Sequence, residues 1–239
     1  MENEVKSIFP REFCFLSGSM LKLLAVLTML MDHFAKYVLP TRFNPLLIKV
    51  GAHSITLCKL MVKLGRIAFP LYCFLLVEGF LHTHDRKKYG INLFVFAVIS
   101  EIPWNLMHCG ALTYEKQNVF FTLLLGYLAL CALEKFKDNW FYQLLSICVL
   151  LGVSFVAKCD YGALGFAFIV MIYALREQKL PQLVVGSTLL SSRWVAGLAF
   201  IPINMYNGKR GFIKGKFLKY TFYAIYPIHM LIIYLINVL

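Results

Sequence analysis

Five ionisable side chains lie inside long apolar runs of this chain: Asp32 and His33 in LTMLMDHFAKYVLP, Glu78 in GRIAFPLYCFLLVEGFLH, Glu101 in SEIPWN, and His229 in FYAIYPIHMLIIYL. Placing charge in hydrocarbon is costly, so such residues are functional candidates by default. Histidine exchanges protons near neutrality, and a carboxylate can fix or neutralise it. The set therefore fits acid–base catalysis or a proton relay. At a rise of 1.5 Å per residue, Asp32 and His33 fall roughly 11–13 residues from the inner end of their run, Glu101 about ten residues into its helix and His229 about eleven. These four are expected to share one mid-depth layer, with Glu78 nearer the inner end of its helix.

Adjacent helical residues point about 100° apart, whereas residues three or four apart share a face. Asp32 thus aligns with Thr28 and Lys36, and His33 aligns with Lys36. One reading is an internal Asp32–Lys36 pair with His33 donating to a carbonyl; the other is a common pocket for the whole polar layer. Glu78 and His82 have the spacing of a helix-end pair. Pro103 removes a backbone donor and frees a carbonyl beside Glu101, and Asn105 lies one turn further on. Asn118, opening QNVFFT, suits a helix N-cap. The run YNGKRG over 206–211 reads either as topological charge or as a phosphate site whose glycines allow close approach.

These residues must be carried by membrane-spanning helices. Of 239 residues, 60% are hydrophobic and 15% charged, against about 45–50% and 25% in soluble domains. The N-terminal MENEVKSIFPREFCF lacks the short apolar core and small-residue cleavage site of a secretory signal, so the first apolar run is expected to stay in the mature protein. A net charge of +12 is better explained by basic loops held inside than by nucleic acid, because no basic and aromatic residues interleave on a soluble surface. The seven cysteines (Cys14, Cys58, Cys73, Cys109, Cys131, Cys148 and Cys159) form no CxxC pair, which argues against a disulfide framework and against a metal site.

On a ruler of about 20 apolar residues per span, crossings fall at 20–40, 65–82, 90–108, 118–134, 139–157, 161–175 and 217–239. The stretch 41–63, with Arg42, Lys49, His53, Lys59 and Lys63, is moderately polar and has room for an amphipathic interfacial helix. Loop charge places the N-terminus and the loops at 83–89, 135–138, 176–179 and 206–219 inside. That requires two short, broken crossings over 180–206, turning at Ser191, Ser192 and Arg193. The expected fold is all-α: a single polytopic helical bundle over 1–239 of about nine transmembrane segments, with the C-terminus and the basic stretch 41–63 outside. No internal repeat is visible.

The motifs LTMLMDHFAKYVLP, GRIAFPLYCFLLVEGF, SEIPWNL, QNVFFTLLLGY, YNGKRG and FYAIYPIHMLIIYL together resemble the TraX family of membrane acyltransferases, over nearly the whole chain from Leu21 to Leu235. The resemblance implies a multi-pass enzyme of the bacterial cytoplasmic membrane, with acetyl-CoA as donor and no metal. Its acceptor would be an amine or hydroxyl at or beyond the bilayer, such as a pilin N-terminus or an envelope glycan. It also implies catalytic roles for Asp32, His33, Glu101 and His229. Substrate-binding roles fall to Arg66, Glu78, Asn118, Tyr206, Asn207, Lys209 and Arg210. The stretch 41–63 departs from the family by being longer and more basic.

Acyl transfer from a thioester needs a base for the acceptor's proton, a role for His33 or His229. It also needs a group to orient that base. Asp32 is poorly placed to do this for its own neighbour, and Glu101 is the better geometric candidate. The rival class is a proton-coupled transporter that uses the same layer as a relay. A non-enzymatic assembly protein would not need the layer at all.

Overall fold

The computed structural model describes residues 7–50 and 53–239. Residues 1–6, to which the loop charges assign a cytoplasmic N-terminus, and residues 51–52 of the basic stretch lie outside the described residues. In chain order the elements are α1 (Gly18–Tyr37), α2 (Leu39–Arg42), strands β1 (Leu46–Val50) and β2 (His53–Thr56), then α3 (Leu57–Gly65), α4 (Ala68–His82), α5 (Arg86–Cys109), α6 (Val119–Lys135), α7 (Trp140–Val156), α8 (Gly162–Ala174), α9 (Lys179–Leu189), α10 (Phe200–Asn204) and α11 (Lys216–Val238). Short 3-10 segments cover Arg11–Phe13 and Ser191–Ala199.

Among the described residues four stretches are long and apolar enough to cross a membrane: Gly18–Tyr37, Leu57–His82, Arg86–Cys109 and Lys216–Val238. The nine expected from hydropathy are not matched by nine long helices. At 17 residues α7 reaches only about 26 Å, and at 13 residues α8 reaches about 20 Å, against a hydrocarbon core of about 30 Å. The broken character expected of 180–206 is present in the backbone, where α9, the 3-10 segment and α10 follow one another.

Apart from the end of α2, the stretch 41–63 holds a helix only in its last part, where α3 begins at Leu57. Its centre is an antiparallel hairpin that pairs Ile48 with Ile55 and Val50 with His53, with an irregularity between Leu46 and Ile48. Leu, Ile, Val and Thr dominate LLIKV and HSIT, and branched side chains favour extended backbone over helix. Helix resumes at Leu57, where the Thr56 side chain accepts from Lys59 N–H as an N-cap. The second apolar stretch therefore begins eight residues before the predicted 65, with a short break at Arg66 and Ile67.

The chain forms two compact units, one from Met1–Tyr72 with Leu190–Leu239 and the other from Cys73–Leu189. In the first, α1 is the central helix and packs against α3 and α11. In the second, α6 is central and contacts α5, α7 and α8. Apolar burial there includes Leu125, Ala129, Cys159 and Phe166. The Phe80 ring meets Tyr127 and Tyr173 edge-on, with centroids 5.6 and 5.8 Å away.

Candidate functional site

The first unit unites two of the predicted residues. His33 on α1 and His229 on α11 place Nδ1 and Nε2 2.6 Å apart, with near-parallel rings whose centroids are 4.9 Å apart. The other nitrogen of His229, Nδ1, lies 2.8 Å from the Ile225 carbonyl one turn back. A carbonyl only accepts, so His229 Nδ1 carries hydrogen, and in the neutral ring Nε2 holds the lone pair. The 2.6 Å contact then requires hydrogen on His33 Nδ1, and His33 Nε2 becomes the basic nitrogen of the neutral pair. His33 is half-buried and His229 buried. The Tyr37 ring meets His33 edge-on at 6.4 Å, and Tyr226 lies 6.5 Å from His33 and 5.7 Å from His229, ring centre to ring centre.

Asp32 has a separate role. It is buried, and its Oδ2 takes an ion pair from Lys36 one turn on, as the spacing predicted. Its Oδ1 is buried with no hydrogen-bond partner among the described residues. Helix α3 crosses α1 at this point through Gly65. A Cβ there would fall onto the Asp32 Cβ, 2.9 Å from Asp32 Cα and 3.0 Å from the Thr28 carbonyl oxygen. Only glycine permits this approach, so Gly65 sets how closely α3 holds the turn bearing Asp32 and His33. Arg66 caps α3 immediately after this crossing. Glycine inside an apolar helical run is the one sequence signal that pointed to the crossing.

The YNGKRG run lies against the start of α1. The backbone N–H groups of Gly18 and Ser19, which a helix leaves without internal partners, donate to the carbonyls of Lys209 at 2.8 Å and Arg210 at 2.9 Å. The Ser19 hydroxyl also donates to the Arg210 carbonyl at 2.8 Å and accepts from Ile213 N–H at 2.7 Å. Gly208 and Gly211 adopt positive φ, 76° and 84°, and a Cβ at Gly211 would collide with the hydroxyls of Ser17 and Ser19. Gly211 therefore serves the seating of this loop on α1. Tyr206 is buried, Asn207 donates to the Phe15 carbonyl at 3.2 Å, and the Lys209 and Arg210 side chains are exposed.

In the second unit Glu101 on α5 meets Asn118 at the start of α6. The Asn118 amide donates to Glu101 Oε2 at 2.6 Å and to the Ala97 carbonyl at 2.8 Å. Its Oδ1 accepts from Phe120 N–H at 3.0 Å, which is the predicted N-cap. Asn105 turns instead to the Leu112 carbonyl at 2.7 Å. Helix α5 continues through Pro103 without ending. Glu78 pairs with His82, 3.7 Å away and one turn on. Sequence reasoning missed an aromatic stack at the end of α5, where His108 lies between Trp104 at 3.8 Å and Tyr114 at 5.1 Å. Among the described residues no group of three or more His, Cys, Asp and Glu side chains is placed to hold a metal.

Residues 17–237 match the family described as TraX protein. The chain is 29% identical over 244 residues to a probable fimbrial assembly protein, FimC of serogroup H1, from Dichelobacter nodosus, covering 90% of this chain and 93% of that one. It is also 25% identical over 164 residues to an uncharacterised protein of Rickettsia prowazekii (strain Madrid E), covering 67% of this chain and 56% of that one. No solved structure matches it significantly.

Proposed function

The chain belongs to the TraX family, and from that premise we propose that it is a membrane-embedded acyltransferase. It moves an acetyl group from cytoplasmic acetyl-CoA to an amine or hydroxyl at or beyond the bilayer. The observation that carries this reading is the His33–His229 pair, with a tautomer fixed by the Ile225 carbonyl. His33 Nε2 takes the proton of the acceptor as its nitrogen or oxygen attacks the thioester carbonyl. The positive charge that develops on His33 is shared through Nδ1–H with His229 Nε2. His229 thus does for His33 what a carboxylate does in a Ser–His–Asp triad: it fixes the tautomer and spreads the charge. The proton then passes to the departing thiolate of coenzyme A, which restores the neutral pair. Lys36, one turn from His33 and held by Asp32, is the fixed cation nearest in sequence to the developing oxyanion.

The acceptor we favour is the N-terminal amine of a fimbrial or pilus subunit, because one relative is named for fimbrial assembly. The enzyme sits in the bacterial cytoplasmic membrane. Its shorter apolar helices complete about nine crossings, and the loop at 206–219 is cytoplasmic. Purified protein in nanodiscs, given acetyl-CoA and a peptide with a free N-terminus, should yield a peptide heavier by one acetyl group. A peptide with a blocked N-terminus should yield none. Proton uptake by proteoliposomes without any acyl transfer would favour the rival reading, in which the buried Asp32 Oδ1 and the histidine pair form a relay.

A further inference from the structure

Helix α11 brings His229 to His33, yet little of it is buried. Its buried residues are Tyr226, Pro227, His229, Met230 and Ile233, and every residue after Ile233 is exposed or half-buried. Pro227 also weakens the helix just before His229. It has no N–H to give the Tyr223 carbonyl, and its ring crowds that carbonyl. Helices bend at such places. The part of α11 beyond Pro227, with His229 near its start, is therefore joined only loosely to the part before it.

A tether holds the far end of that part. The guanidinium of Arg42, the last residue of α2, donates to the Ile236 carbonyl at 3.1 Å. This carbonyl is among the last four of α11, which have no acceptor role inside the helix. It lies at the negative end of the helix dipole, where a cation is favoured. At about 100° per residue, Ile236 falls about 20° short of two full turns after His229 and so stands on the same side of α11. Arg42 reaches α11 from the segment that carries His33, since α1 ends at Tyr37 and α2 follows over Leu39–Arg42. The two segments thus meet at the imidazole pair, 2.6 Å apart, and again at the guanidinium. No Asp or Glu occurs between positions 33 and 77, nor from 178 onward, so neither segment brings a carboxylate of its own to draw Arg42 away. Two attachments fix a segment that one would leave free to swing, and a ring-to-ring hydrogen bond tolerates little displacement.

We propose that Arg42 is a positioning residue: its hold on the Ile236 carbonyl keeps the part of α11 beyond Pro227 in the register that joins His229 Nε2 to His33 Nδ1. Its effect on catalysis rests on the acyl-transfer reading, whereas its effect on the imidazole pair does not. The pair is observed directly by NMR of protein carrying isotope-labelled histidine in nanodiscs, through the coupling between the two ring nitrogens of the N–H···N bond. His33→Ala and His229→Ala assign that signal. Transfer kinetics are measured on the same variants.

Arg42→Ala and Arg42→Met should each lose the coupling. Methionine keeps the apolar bulk and lacks the donors, so a collapse of the alanine variant leaves the test intact. Both should lower kcat roughly ten- to a hundredfold, the scale of a misplacement of up to about 1 Å, with the KM for acetyl-CoA kept. Arg42→Lys, which can still donate to a carbonyl at a helix end, should restore the coupling and most of the rate. In a His229→Ala background Arg42→Met should cost nothing further, because the group it positions is gone. Coupling kept in Arg42→Met overturns the proposal, whether or not transfer occurs. An equal kcat loss with and without His229 also overturns it, since Arg42 then acts on the fold at large. If the coupling is lost in Arg42→Met while the wild type acetylates no acceptor, the positioning role stands and the transfer reading falls.

Discussion

Gly65→Ala tests whether the α1–α3 crossing holds His33, the base of the proposed mechanism, in place. Gly65 has no positive φ, so alanine meets no backbone conflict and the effect is purely steric. The new Cβ would stand 2.9 Å from Asp32 Cα and 3.0 Å from the Thr28 carbonyl oxygen, against a comfortable carbon separation of about 3.5–4.0 Å. These are backbone atoms, not the yielding end of a side chain. Helix α3 must therefore retreat from α1 by roughly 1 Å, or the turn carrying Asp32 and His33 must move by that amount. Overpacking costs about 1–3 kcal/mol, and alanine returns up to about 1 kcal/mol of helix propensity. The net loss is about 0–3 kcal/mol, small beside a typical stability of about 5–15 kcal/mol, so the protein should fold. The rate is more sensitive, since a misplacement of about 1 Å can cost on the order of 10²-fold. Transfer assays in nanodiscs, with thermal unfolding alongside, should show kcat down roughly a hundredfold, a slightly lower Tm and an unchanged donor KM. Gly152→Ala is the control: a Cβ at Gly152 meets nothing within 4 Å, so this variant should be neutral or slightly stabilising with full activity. Wild-type kcat in Gly65→Ala would refute the link between this crossing and the base.

Five other outcomes follow from the same geometry. His33→Ala should cut the transfer rate by about 10²–10⁴, the usual effect of losing a general base, with folding intact by circular dichroism. His229→Ala should be nearly as slow, and the double variant should cost much less than the product of the two single losses, because the rings act as one unit. In a pH–rate profile kcat/KM should climb from the acid side as the imidazole loses its proton, since a base must be neutral to act, and His33→Ala should flatten that limb. Asn118→Ala should destabilise the protein by about 1–2 kcal/mol through loss of the α6 N-cap and strip Glu101 of its amide partner, seen as a lower Tm. Glu101→Gln, which can still accept from Asn118, should be milder. Cysteine at the exposed position 212 should label only from the cytoplasmic face and cysteine at exposed position 47 only from the outer face; labelling of 212 from outside would mean that 180–206 crosses once.

The membrane character, the long helices and the local pairs were legible in the sequence because they depend on composition and short spacing. Asp32 with Lys36, Glu78 with His82 and the Asn118 cap each need only one helical turn to be read. Depth counting put His33 and His229 at one level, and they meet. It did not distinguish a shared layer from a hydrogen-bonded pair, because no periodicity fixes which faces of two distant helices turn toward each other. The hairpin at Leu46–Thr56 was missed because basic residues among apolar ones imitate an amphipathic helix, and strand pairing depends on a partner strand. Nor did hydropathy foresee the division into two units, since it carries no information about which helices pack together. Gly65 and Gly211 were visible as letters only; their meaning lies in atoms brought close from residues far along the chain.

The seating of the 206–211 loop on the start of α1 has a consequence for biosynthesis. Ser19 and Arg210 are separated by 191 residues, and His33 and His229 by 196. At about 5–20 residues per second, roughly 10–40 s pass between the emergence of α1 from the ribosome and that of its partner loop. Through that interval the first N–H groups of α1 must be satisfied by water or by the insertion machinery, while the contiguous unit Cys73–Leu189 has all of its sequence available and can form. The first unit closes last, when α11 arrives carrying His229. A ribosome that stalls anywhere before α11 releases a chain that has His33 but lacks the His33–His229 pair, so on the proposed mechanism partial products carry no activity.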